Sequence, residues 1–392
     1  MRYEVLDLFS GAGGFSLGFA MAGYKIIGAL DIDKWALDTF AFNHKKSKIL
    51  LGDISNFSNE FLSDYFCSKP DIIIGGPPCQ GYSICNKNAG DPKDPRNSLF
   101  REFLRFAVIF EPRILIMENV ANIINAKTKS GDNVVNIIKN EFKKLGYFTY
   151  QTILHAGNFG IPQKRQRFFL IASKNTLLNP FPAFTHYFEK DNLLDTGLKK
   201  CPTLWEAISD LPSIEANEGK EQMQYTLEPS NEYQKFCRYK SDMVFNHLAM
   251  KHSKRVVERF KAMQWGQSIS DVQDESLKQR KRNGNGEISN SCYDQNNRRM
   301  YPDDLCNTIT ASFYGNFVHP YKNRNFTARE GARIQSFPDY YVFKGKPTTA
   351  SKKLLEREGR KDEMYLCQYS QIGNAVPPLL AYSIAKNLKC QE

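Results

Sequence analysis

Short apolar runs alternate with amphipathic segments of helix length up to about residue 180, and this alternation restricts the fold more than any other feature of the sequence. The runs predicted as strands are residues 4–9, 25–30, 48–53, 71–76, 113–119, 151–156 and 167–173. Several of them are continuous in Ile, Leu and Val, which is typical of strands covered on both faces. Helices are predicted between them, at 14–22, 34–43, 97–110 and 132–145. Strand alternating with helix predicts an α/β fold with a doubly wound, mostly parallel sheet.

The alternation stops at a stretch rich in proline and aromatic residues, NPFPAFTHYFEK. The residues that follow are polar and basic, with a predicted basic helix at 246–263 and a predicted exposed loop at 277–300. The C-terminal stretch YSQIGNAVPPLLAYSIAKNLK returns to a turn followed by an amphipathic helix. We therefore expect a catalytic and cofactor-binding domain at 1–185, a smaller second domain at 186–345, and a segment at 366–392 that completes the first domain.

The composition favours a partner of negative charge. The chain carries 53 Lys and Arg against 42 Asp and Glu, a formal net charge of +11. An excess of that size favours nucleic acid, with a basic protein that has no such partner as the open alternative. No apolar run approaches the roughly 20 residues that a membrane helix needs. The 9 cysteines contain no CxxC pair, which is typical of free thiols in a reducing compartment, so we expect a cytoplasmic protein.

Chemically active side chains follow the first five predicted strands. The turn after the first strand, FSGAGGF, contains Phe9 and a glycine cluster, and later strand ends carry Asp31, Asp53, Cys79 and Glu118. In an open α/β sheet, ligands bind at the edge where the carboxyl ends of the strands meet. The sequence therefore predicts one site that combines a glycine turn, an aromatic ring, two carboxylates, a thiol and an acid.

The glycine turn predicts a nucleotide cofactor without saying which one. Its glycines allow the backbone to approach a ligand closely. The dinucleotide pattern GxGxxG is not met, because Ser16 stands at its last position, and the Lys-Ser/Thr end of a phosphate-binding loop is absent. With Asp31 placed for ribose hydroxyls, a nucleoside cofactor without a pyrophosphate, such as S-adenosylmethionine, is favoured. Alternatively, Asp31 and Asp53 cap the helices that follow them.

The motif GGPPCQGYS at 75–83 places a cysteine on a stiff base. Pro77 and Pro78 restrict the backbone immediately before Cys79, which positions the thiol before a substrate arrives. The segment 80–98 is long, polar and rich in turn residues, as active-site lids often are. The alternative is a buried free cysteine, which is the commoner case for a lone cysteine.

Two further motifs carry an acid and a pair of arginines. Glu118 ends an apolar strand in LIMENV, where partial desolvation predicts a raised pKa and general-acid work, unless the residue only caps a helix. Arg165 and Arg167, in PQKRQRFF, are two residues apart and so are expected on one face of an extended strand. Such a pair can orient a carboxylate or a carbonyl group, and solvated surface arginines are the alternative.

Taken in order, these motifs resemble those of the C5-cytosine-specific DNA methyltransferases of bacterial restriction-modification systems. DLFSGAGGFSLGF resembles the cofactor motif of that family, GGPPCQGYS its nucleophile motif, MENV its acid motif and QKRQRFF its arginine motif. RNFTAREGARIQSFPD and QIGNAVPP resemble its two C-terminal motifs. The resemblance covers the whole chain, and the variable stretch stands where the family has its target-recognition domain. It implies a Rossmann-like, class I methyltransferase domain with S-adenosylmethionine as cofactor.

The resemblance also implies a role for each site residue. Cys79 is expected to add to C6 of a cytosine flipped out of the duplex, after which C5 takes up the methyl group of the cofactor. Glu118 is expected to engage N3 and the exocyclic amine, Arg165 to contact O2, and Arg167 to help orient the site. The expected cofactor-binding residues are Phe9, Gly11, Gly13, Gly14, Asp31, Ile32, Asp53, Ile54, Pro77, Leu99, Asn374 and Val376. The expected DNA-binding residues are Gln80, Ser83, Arg280, Arg282, Arg298 and Arg299, and no metal is expected.

Duplex DNA is the expected partner, contacted by the basic segments at 246–263 and 277–300, with a monomer and a cognate restriction endonuclease acting on the same site. A tRNA cytosine-C5 methyltransferase is the nearest alternative, and the long variable region favours DNA. A catalytically silent DNA-binding relative is disfavoured by the intact Cys79, Glu118 and Arg165, and a nicotinamide enzyme by the missing GxGxxG pattern. The polar insertion at 340–365 has no assigned role.

Overall fold

The central element of this computed structural model, which describes residues 3–78, 99–128, 130–188, 197–281, 286–289, 297–348 and 352–389, is a seven-stranded sheet. The strands of the first half are β1 Glu4–Leu8, β2 Lys25–Asp31, β3 Lys48–Leu51, β4 Ile72–Gly75, β5 Ile114–Val120, β6 Phe148–His155, β7 Gln163–Lys164 and β8 Gln166–Ser173. The order in the sheet is β3-β2-β1-β4-β5-β8-β6. Only β8 runs antiparallel to its neighbours, β5 and β6, within this sheet. The predicted α/β fold with a doubly wound, mostly parallel sheet is confirmed.

Helices cover both faces of this sheet. The helices are α1 Gly14–Met21, α2 Lys34–Asn43, α3 Asn59–Phe66, α4 Leu99–Phe110, α5 Val134–Lys144, α6 Leu204–Ile208, α7 Glu232–Arg238, α8 Lys254–Lys261, α9 Ala328–Ile334, α10 Lys352–Arg357, α11 Gln368–Asn374 and α12 Pro378–Lys389. One apolar core lies under α3, α4 and α5, with Leu62, Phe103 and Phe142 fully buried. A second core lies on the opposite face under α1, α2 and α12. The chain order reverses between β1 and β4, which places a topological switch point at the carboxyl ends of these two strands.

The C-terminal helix packs directly against the first helix of the chain. Gly18 of α1 faces α12 so closely that a Cβ atom there would overlap the side chain of Ala381 and the carbonyl oxygen of Pro378. Glycine at this position therefore allows the two helices to approach, and α12 buries Leu380, Ile384 and Leu388 in the second core. Residues more than 350 positions apart thus share one core.

The remaining strands form two-stranded sheets. They are β9 His186–Tyr187, β10 Lys199–Lys200, β11 Gly219–Gln224, β12 Met243–Leu248, β13 Arg298–Arg299, β14 Cys306–Asn307 and β15 Phe317–Val318. The prediction of one helix over 246–263 is wrong. Its first residues belong to β12, which pairs with β11, and only Lys254–Lys261 is helical. The physical reason is tertiary, because β12 buries Val244, Asn246 and His247.

Buried ion pairs hold α9 in place. The Arg333 guanidinium is fully buried and donates to the carboxylates of Asp339, at 2.6 Å, and of Asp210. Arg324 donates to both carboxylate oxygens of Glu330, at 2.7 and 2.8 Å. Satisfied pairs of this kind roughly offset their own desolvation, whereas removing one partner leaves an unpaired buried charge. These pairs therefore determine the position of α9 more than they add stability.

His247 links β12 to the start of α9. Its Nε2 lies 2.9 Å from the Pro212 carbonyl oxygen, and its Nδ1 lies 2.9 Å from the Thr327 hydroxyl. Because a carbonyl oxygen only accepts, Nε2 carries the proton and Nδ1 accepts a hydrogen bond from the hydroxyl. Burial lowers the pKa of His247 to about 4, so the folded protein keeps this imidazole neutral.

We expect acid to destabilise the folded chain through His247. The unfolded imidazole takes up a proton near pH 6.5, whereas the folded one does so only near pH 4. Its contribution to the unfolding free energy is therefore complete above pH 6.5 and is lost as the pH falls, by about 2 kcal/mol between pH 7 and pH 5. Urea denaturation at the two pH values measures the loss, and His247→Gln should show a smaller one. Equal losses in the two proteins would contradict this prediction.

Candidate active site

The glycine turn after β1 is closed by the carboxylate at the end of β2. Phe9 has a left-handed backbone, with φ at 57°, although it is not a glycine, and Gly13 follows with φ at 85°. The backbone N–H of Gly11 donates to Asp31 Oδ2 at 2.7 Å. A non-glycine residue in this region is held there by its surroundings and is often found at a ligand site.

The two predicted strand-end aspartates have different local roles. Asp31 accepts from the N–H groups of Gly11 and Asp33, and Asp33 rather than Asp31 caps α2. Burial raises the pKa of Asp31, and these N–H donors oppose the rise. Asp53 accepts from the N–H and the hydroxyl of Ser55, at 2.9 and 2.7 Å, and caps the 3-10 turn Ile54–Asn56. The capping alternative therefore describes Asp53 and not Asp31.

The other predicted cofactor residues differ in their exposure to solvent. Ile32 is 66% exposed, whereas Ile54 is buried in the core. Leu99, at the start of α4, is half-buried, and Asn374 is exposed at the end of α11. Val376 is buried, and its carbonyl oxygen would overlap a Cβ atom on Gly14. The C-terminal segment therefore reaches the glycine turn.

A residue that the sequence interpretation missed, Ser10, provides a test of cofactor fit. Its hydroxyl is buried and has no hydrogen-bond partner within the described part of the chain. A Cβ atom on neighbouring Gly11 would face open space, again counting described residues only. An unsatisfied buried hydroxyl beside an open backbone turn suits a ligand that carries polar groups, such as a nucleoside cofactor with a charged tail. Its position inside FSGAGG was the only signal in the sequence.

Glu118 and Arg167 form a partly buried ion pair across two strands. Arg167 Nε, on β8, lies 2.9 Å from Glu118 Oε1 at the end of β5, and the two side chains are 15% and 12% exposed. Burial raises the pKa of Glu118, while the positive charges of Arg167 and Arg165 oppose the rise. A Cβ atom on Gly76 would lie 3.2 Å from Glu118 Oε2. The acid is therefore beside the backbone that leads into the cysteine motif.

Arg165 is placed differently from Arg167. Its side chain is buried and donates to three carbonyl oxygens, those of Ile309 at 2.7 Å, Gly373 at 3.2 Å and Ala375 at 3.1 Å. Gly373 and Ala375 stand on either side of Asn374, and Ile309 follows β14. Arg165 thus anchors backbone, and Arg167 contacts the acid.

The base of the cysteine motif is held between two strands. Asn119 is buried and donates from Nδ2 to the Pro77 carbonyl oxygen at 2.9 Å. A Cβ atom on Gly75 would lie 2.5 Å from the Leu8 carbonyl oxygen, so β4 packs closely on β1. Cys79, Gln80 and Ser83 lie outside the described residues, as does the predicted lid at 80–98. The described residues thus show a constrained base for the motif.

The predicted DNA-binding arginines do not share one environment. Arg280 is half-buried and donates to the Gly286 carbonyl oxygen at 2.7 Å, and Arg282 lies outside the described residues. Arg298 donates to the Gly266 carbonyl oxygen and lines a cavity. Arg299 is buried and donates to backbone carbonyls, among them that of His319 at 2.8 Å. Arg299 therefore holds the interior of this region and lacks the exposure that we expected.

Arg298 lines a cavity of about 600 Å³, and the lining also includes Lys164, Asp304, Thr308 and Asn316. The short strand β14 pairs with β7, and Lys164 Nζ lies 2.5 Å from Asp304 Oδ2. The sequence interpretation missed Lys164 and Thr308, because only the β7–β14 pairing brings them together.

No group of three or more His, Cys, Asp or Glu side chains among the described residues could hold a metal ion. None of their helices is both long enough and apolar enough to cross a membrane.

Comparisons with known proteins identify the proteins that this chain resembles. Residues 3–390 match the family described as C-5 cytosine-specific DNA methylase. The chain is 46% identical to the type II methyltransferase M.DdeI of Desulfomicrobium norvegicum, over 98% of this chain and 88% of the relative. It is 32% identical to the type II methyltransferase M1.HphI of Haemophilus parahaemolyticus, over 98% and 86%.

Solved structures resemble the chain over its whole length. A structure described as a DNA modification methyltransferase encoded within an Escherichia coli prophage has a TM-score of 0.72 and 25% identity, covering 100% of this chain and 99% of its own. The Dnmt2 methyltransferase of S. pombe has a TM-score of 0.59 at 17% identity, covering 99% of each chain, and shows the fold alone.

Proposed function

Because this chain belongs to the C-5 cytosine-specific DNA methylase family, we propose that the rim holding Glu118 and Arg167 is where it methylates cytosine. The chain is a DNA cytosine-5-methyltransferase that uses S-adenosylmethionine. The family and its type II relatives favour DNA over tRNA as the substrate. The observation that carries the site is the Glu118–Arg167 pair beside Gly76, three residues before Cys79.

The chemistry that we assign to the rim begins with the thiolate of Cys79. Its electron pair forms a bond to C6 of the cytosine, while Glu118 provides a proton at N3, so the ring becomes an enamine with a nucleophilic C5. The cofactor, when bound, supplies an electrophilic methyl group. Once C5 carries the methyl group, water takes up the C5 proton, the electrons of the C5–H bond re-form the C5–C6 double bond, Cys79 leaves as a thiolate, and N3 returns its proton to Glu118. The raised pKa of Glu118 supports this role, because burial favours the protonated form of the acid.

We assign different roles to the two arginines. Arg167 contacts Glu118, which it would orient, and it would also contact the cytosine O2. Arg165, with its guanidinium bound to three carbonyls, positions the backbone around Asn374. This assignment transfers the predicted O2 contact from Arg165 to Arg167.

The cofactor would occupy the turn between β1 and β2. Gly11 and Gly13 allow the backbone to approach it, Phe9 offers an aromatic face, and Asp31 offers a carboxylate for ribose hydroxyls. The buried Ser10 hydroxyl would gain a hydrogen-bond partner there. Ile32, Asp53 and Val376 would border the same pocket.

Duplex DNA would bind at the cavity that Lys164 and Arg298 line. A base within the duplex cannot present C6 to a thiol, so the cytosine must be flipped out, at a cost of about a few kcal/mol. Phosphate contacts from Lys164 and Arg298 would supply affinity independent of sequence.

We divide the chain into a catalytic domain at 1–185, a target-recognition domain at 186–345 and a completing segment at 366–392. A monomer in the cytoplasm, working beside a cognate endonuclease, suits a type II enzyme.

Methyl transfer tests this function directly. The purified protein is incubated with methyl-labelled S-adenosylmethionine and either unmethylated duplex DNA or tRNA, and the labelled nucleoside is identified after digestion. We expect 5-methylcytosine in DNA, at a defined sequence that bisulfite sequencing then reveals. Label in tRNA alone would keep the chemistry and overturn the substrate. Tight DNA binding without label in either polymer would identify a catalytically silent relative.

A further inference from the structure

A single arginine on α4 holds the turn that carries two of the predicted cofactor residues. Arg105 donates from Nη2 to the Ile54 carbonyl oxygen at 2.7 Å and from Nη1 to the Phe57 carbonyl oxygen at 3.0 Å. The same Nη1 lies 2.9 Å from Asn59 Oδ1. The guanidinium therefore connects α4 to Ile54, Phe57 and Asn59, in the segment that follows Asp53.

Glu102, also on α4, binds the same guanidinium. Arg105 Nε lies 2.8 Å from Glu102 Oε2, one helical turn earlier, and Nη2 lies 2.7 Å from the same oxygen. The Arg105 side chain is 23% exposed and that of Glu102 is 20% exposed. Hydrogen bonds from an ionised donor are stronger than neutral ones, and the planar guanidinium fixes their directions. The arrangement is thus rigid and only partly accessible to water.

The side chain of Ile54 is buried in the core under α3, α4 and α5, which holds one residue of the turn. The Asp53 carboxylate accepts from Ser55, and its carbonyl oxygen accepts from the Asn56 N–H, so these bonds shape the turn without linking it to the sheet. The N–H of Gly52 donates to the Asp31 carbonyl oxygen at 3.0 Å, which fixes one end. Arg105 binds the backbone carbonyls of Ile54 and Phe57 at the other end, so the separation between Asp31 and the backbone of the Ile54 turn depends on its guanidinium together with the packing of the Ile54 side chain.

We infer that Arg105 is a positioning residue for the cofactor: it sets the distance between the Asp31 carboxylate and the Ile54 turn, between which the nucleoside would bind. This inference rests on the proposed cofactor site. It does not require Arg105 to touch the cofactor. Phe100, Phe103, Phe106 and Phe110 bury the apolar face of α4, and the contribution of Arg105 to that packing is its contact with the Phe106 ring, 5.7 Å from the guanidinium carbon to the ring centroid. The loss of Arg105 should therefore act more on the turn than on the helix.

The test separates cofactor affinity from folding and from chemistry. For Arg105→Gln we expect the dissociation constant for S-adenosylmethionine, measured by calorimetry, to rise about tenfold, because three charge-assisted hydrogen bonds are lost. The kcat at saturating cofactor should stay within about twofold of the wild-type value, since the residue touches no reacting atom. Arg105→Lys should give an intermediate affinity, because one ammonium cannot reach all the acceptors.

Lys144→Gln is the matched control, because it breaks another (i, i+3) helix ion pair, with Glu141 on α5, and it should leave cofactor affinity unchanged. If Arg105→Gln does not fold, Glu102→Gln carries the test, with an expected rise of about threefold. Wild-type affinity in Arg105→Gln, or a fall in kcat that saturating cofactor does not relieve, would overturn the inference. A wild-type protein that binds no S-adenosylmethionine would instead sink the proposed function, and the inference with it.

Discussion

Replacing Cys79 by alanine is expected to abolish methyl transfer while cofactor and DNA binding persist. Without a thiolate no bond to C6 can form, and C5 of cytosine is then too poor a nucleophile to accept a methyl group. Removal of a covalent nucleophile costs roughly 10⁴-fold or more in kcat. The single-turnover rate of label transfer into duplex DNA measures the loss, and equilibrium binding of the same duplex shows that the variant still recognises it.

A duplex with 5-fluorocytosine at the target position tests the covalent step itself. Fluorine at C5 cannot leave as a proton does, so the adduct should persist and survive a denaturing gel with the wild-type protein and not with Cys79→Ala. Cys67→Ala is the matched control, because Cys67 is also a free thiol and is exposed. A shifted band with Cys79→Ala, or kcat within tenfold of the wild-type value, would reject Cys79 as the nucleophile.

Replacing Glu118 by glutamine is expected to lower kcat by about 10²- to 10³-fold, the usual contribution of a positioned general acid. Glutamine keeps the shape of the side chain but cannot give a proton to N3. Because burial raises the pKa of Glu118, the wild-type enzyme should lose activity as the pH rises through that pKa and the acid gives up its proton. The alkaline decline should be absent from the pH profile of Glu118→Gln. A profile of unchanged shape would show that another group gives the proton.

Substitutions of Arg167 and Arg165 should differ in whether they affect mainly kcat or mainly the unfolding free energy. Arg167→Gln removes the partner of Glu118, whose raised pKa lets the carboxyl take up a proton, and should therefore lower kcat by a larger factor than it lowers the folding equilibrium constant. Arg165→Gln leaves three carbonyl oxygens without their donor, which costs about 1–3 kcal/mol for each group that stays unsatisfied. Its effect should therefore appear mainly in urea denaturation. The reverse pattern would restore Arg165 as the residue that contacts the base.

The main errors of the sequence interpretation come from residues whose surroundings are assembled from distant parts of the chain. Periodicity predicted a helix over 246–263, but β12 pairs with β11 and buries its own side chains instead. Arg299 stands in a basic stretch that looks exposed, yet its guanidinium is enclosed by carbonyls of a later loop. A run of charged residues in a sequence does not show which of their side chains are buried and hydrogen-bonded inside the protein.

Ser10 and Arg105 were missed for a related reason. Neither residue type is unusual at its position, and no spacing rule singles them out. Ser10 becomes informative through its buried, unsatisfied hydroxyl, and Arg105 through bonds to carbonyls about 50 residues earlier in the chain. Both properties exist only once the sheet has brought the strand ends together.

The sequence by itself determined the α/β class, the strands of the central sheet and the family. Apolar periodicity follows directly from which faces are buried, and the motifs are local strings whose order survives in the chain. Only the tertiary structure decided which arginine meets Glu118, which aspartate closes the glycine turn and which residue holds the Ile54 turn. Hydrogen bonds and ion pairs act over about 3 Å, so their partners are decided by how distant strands and helices pack and not by spacing along the chain.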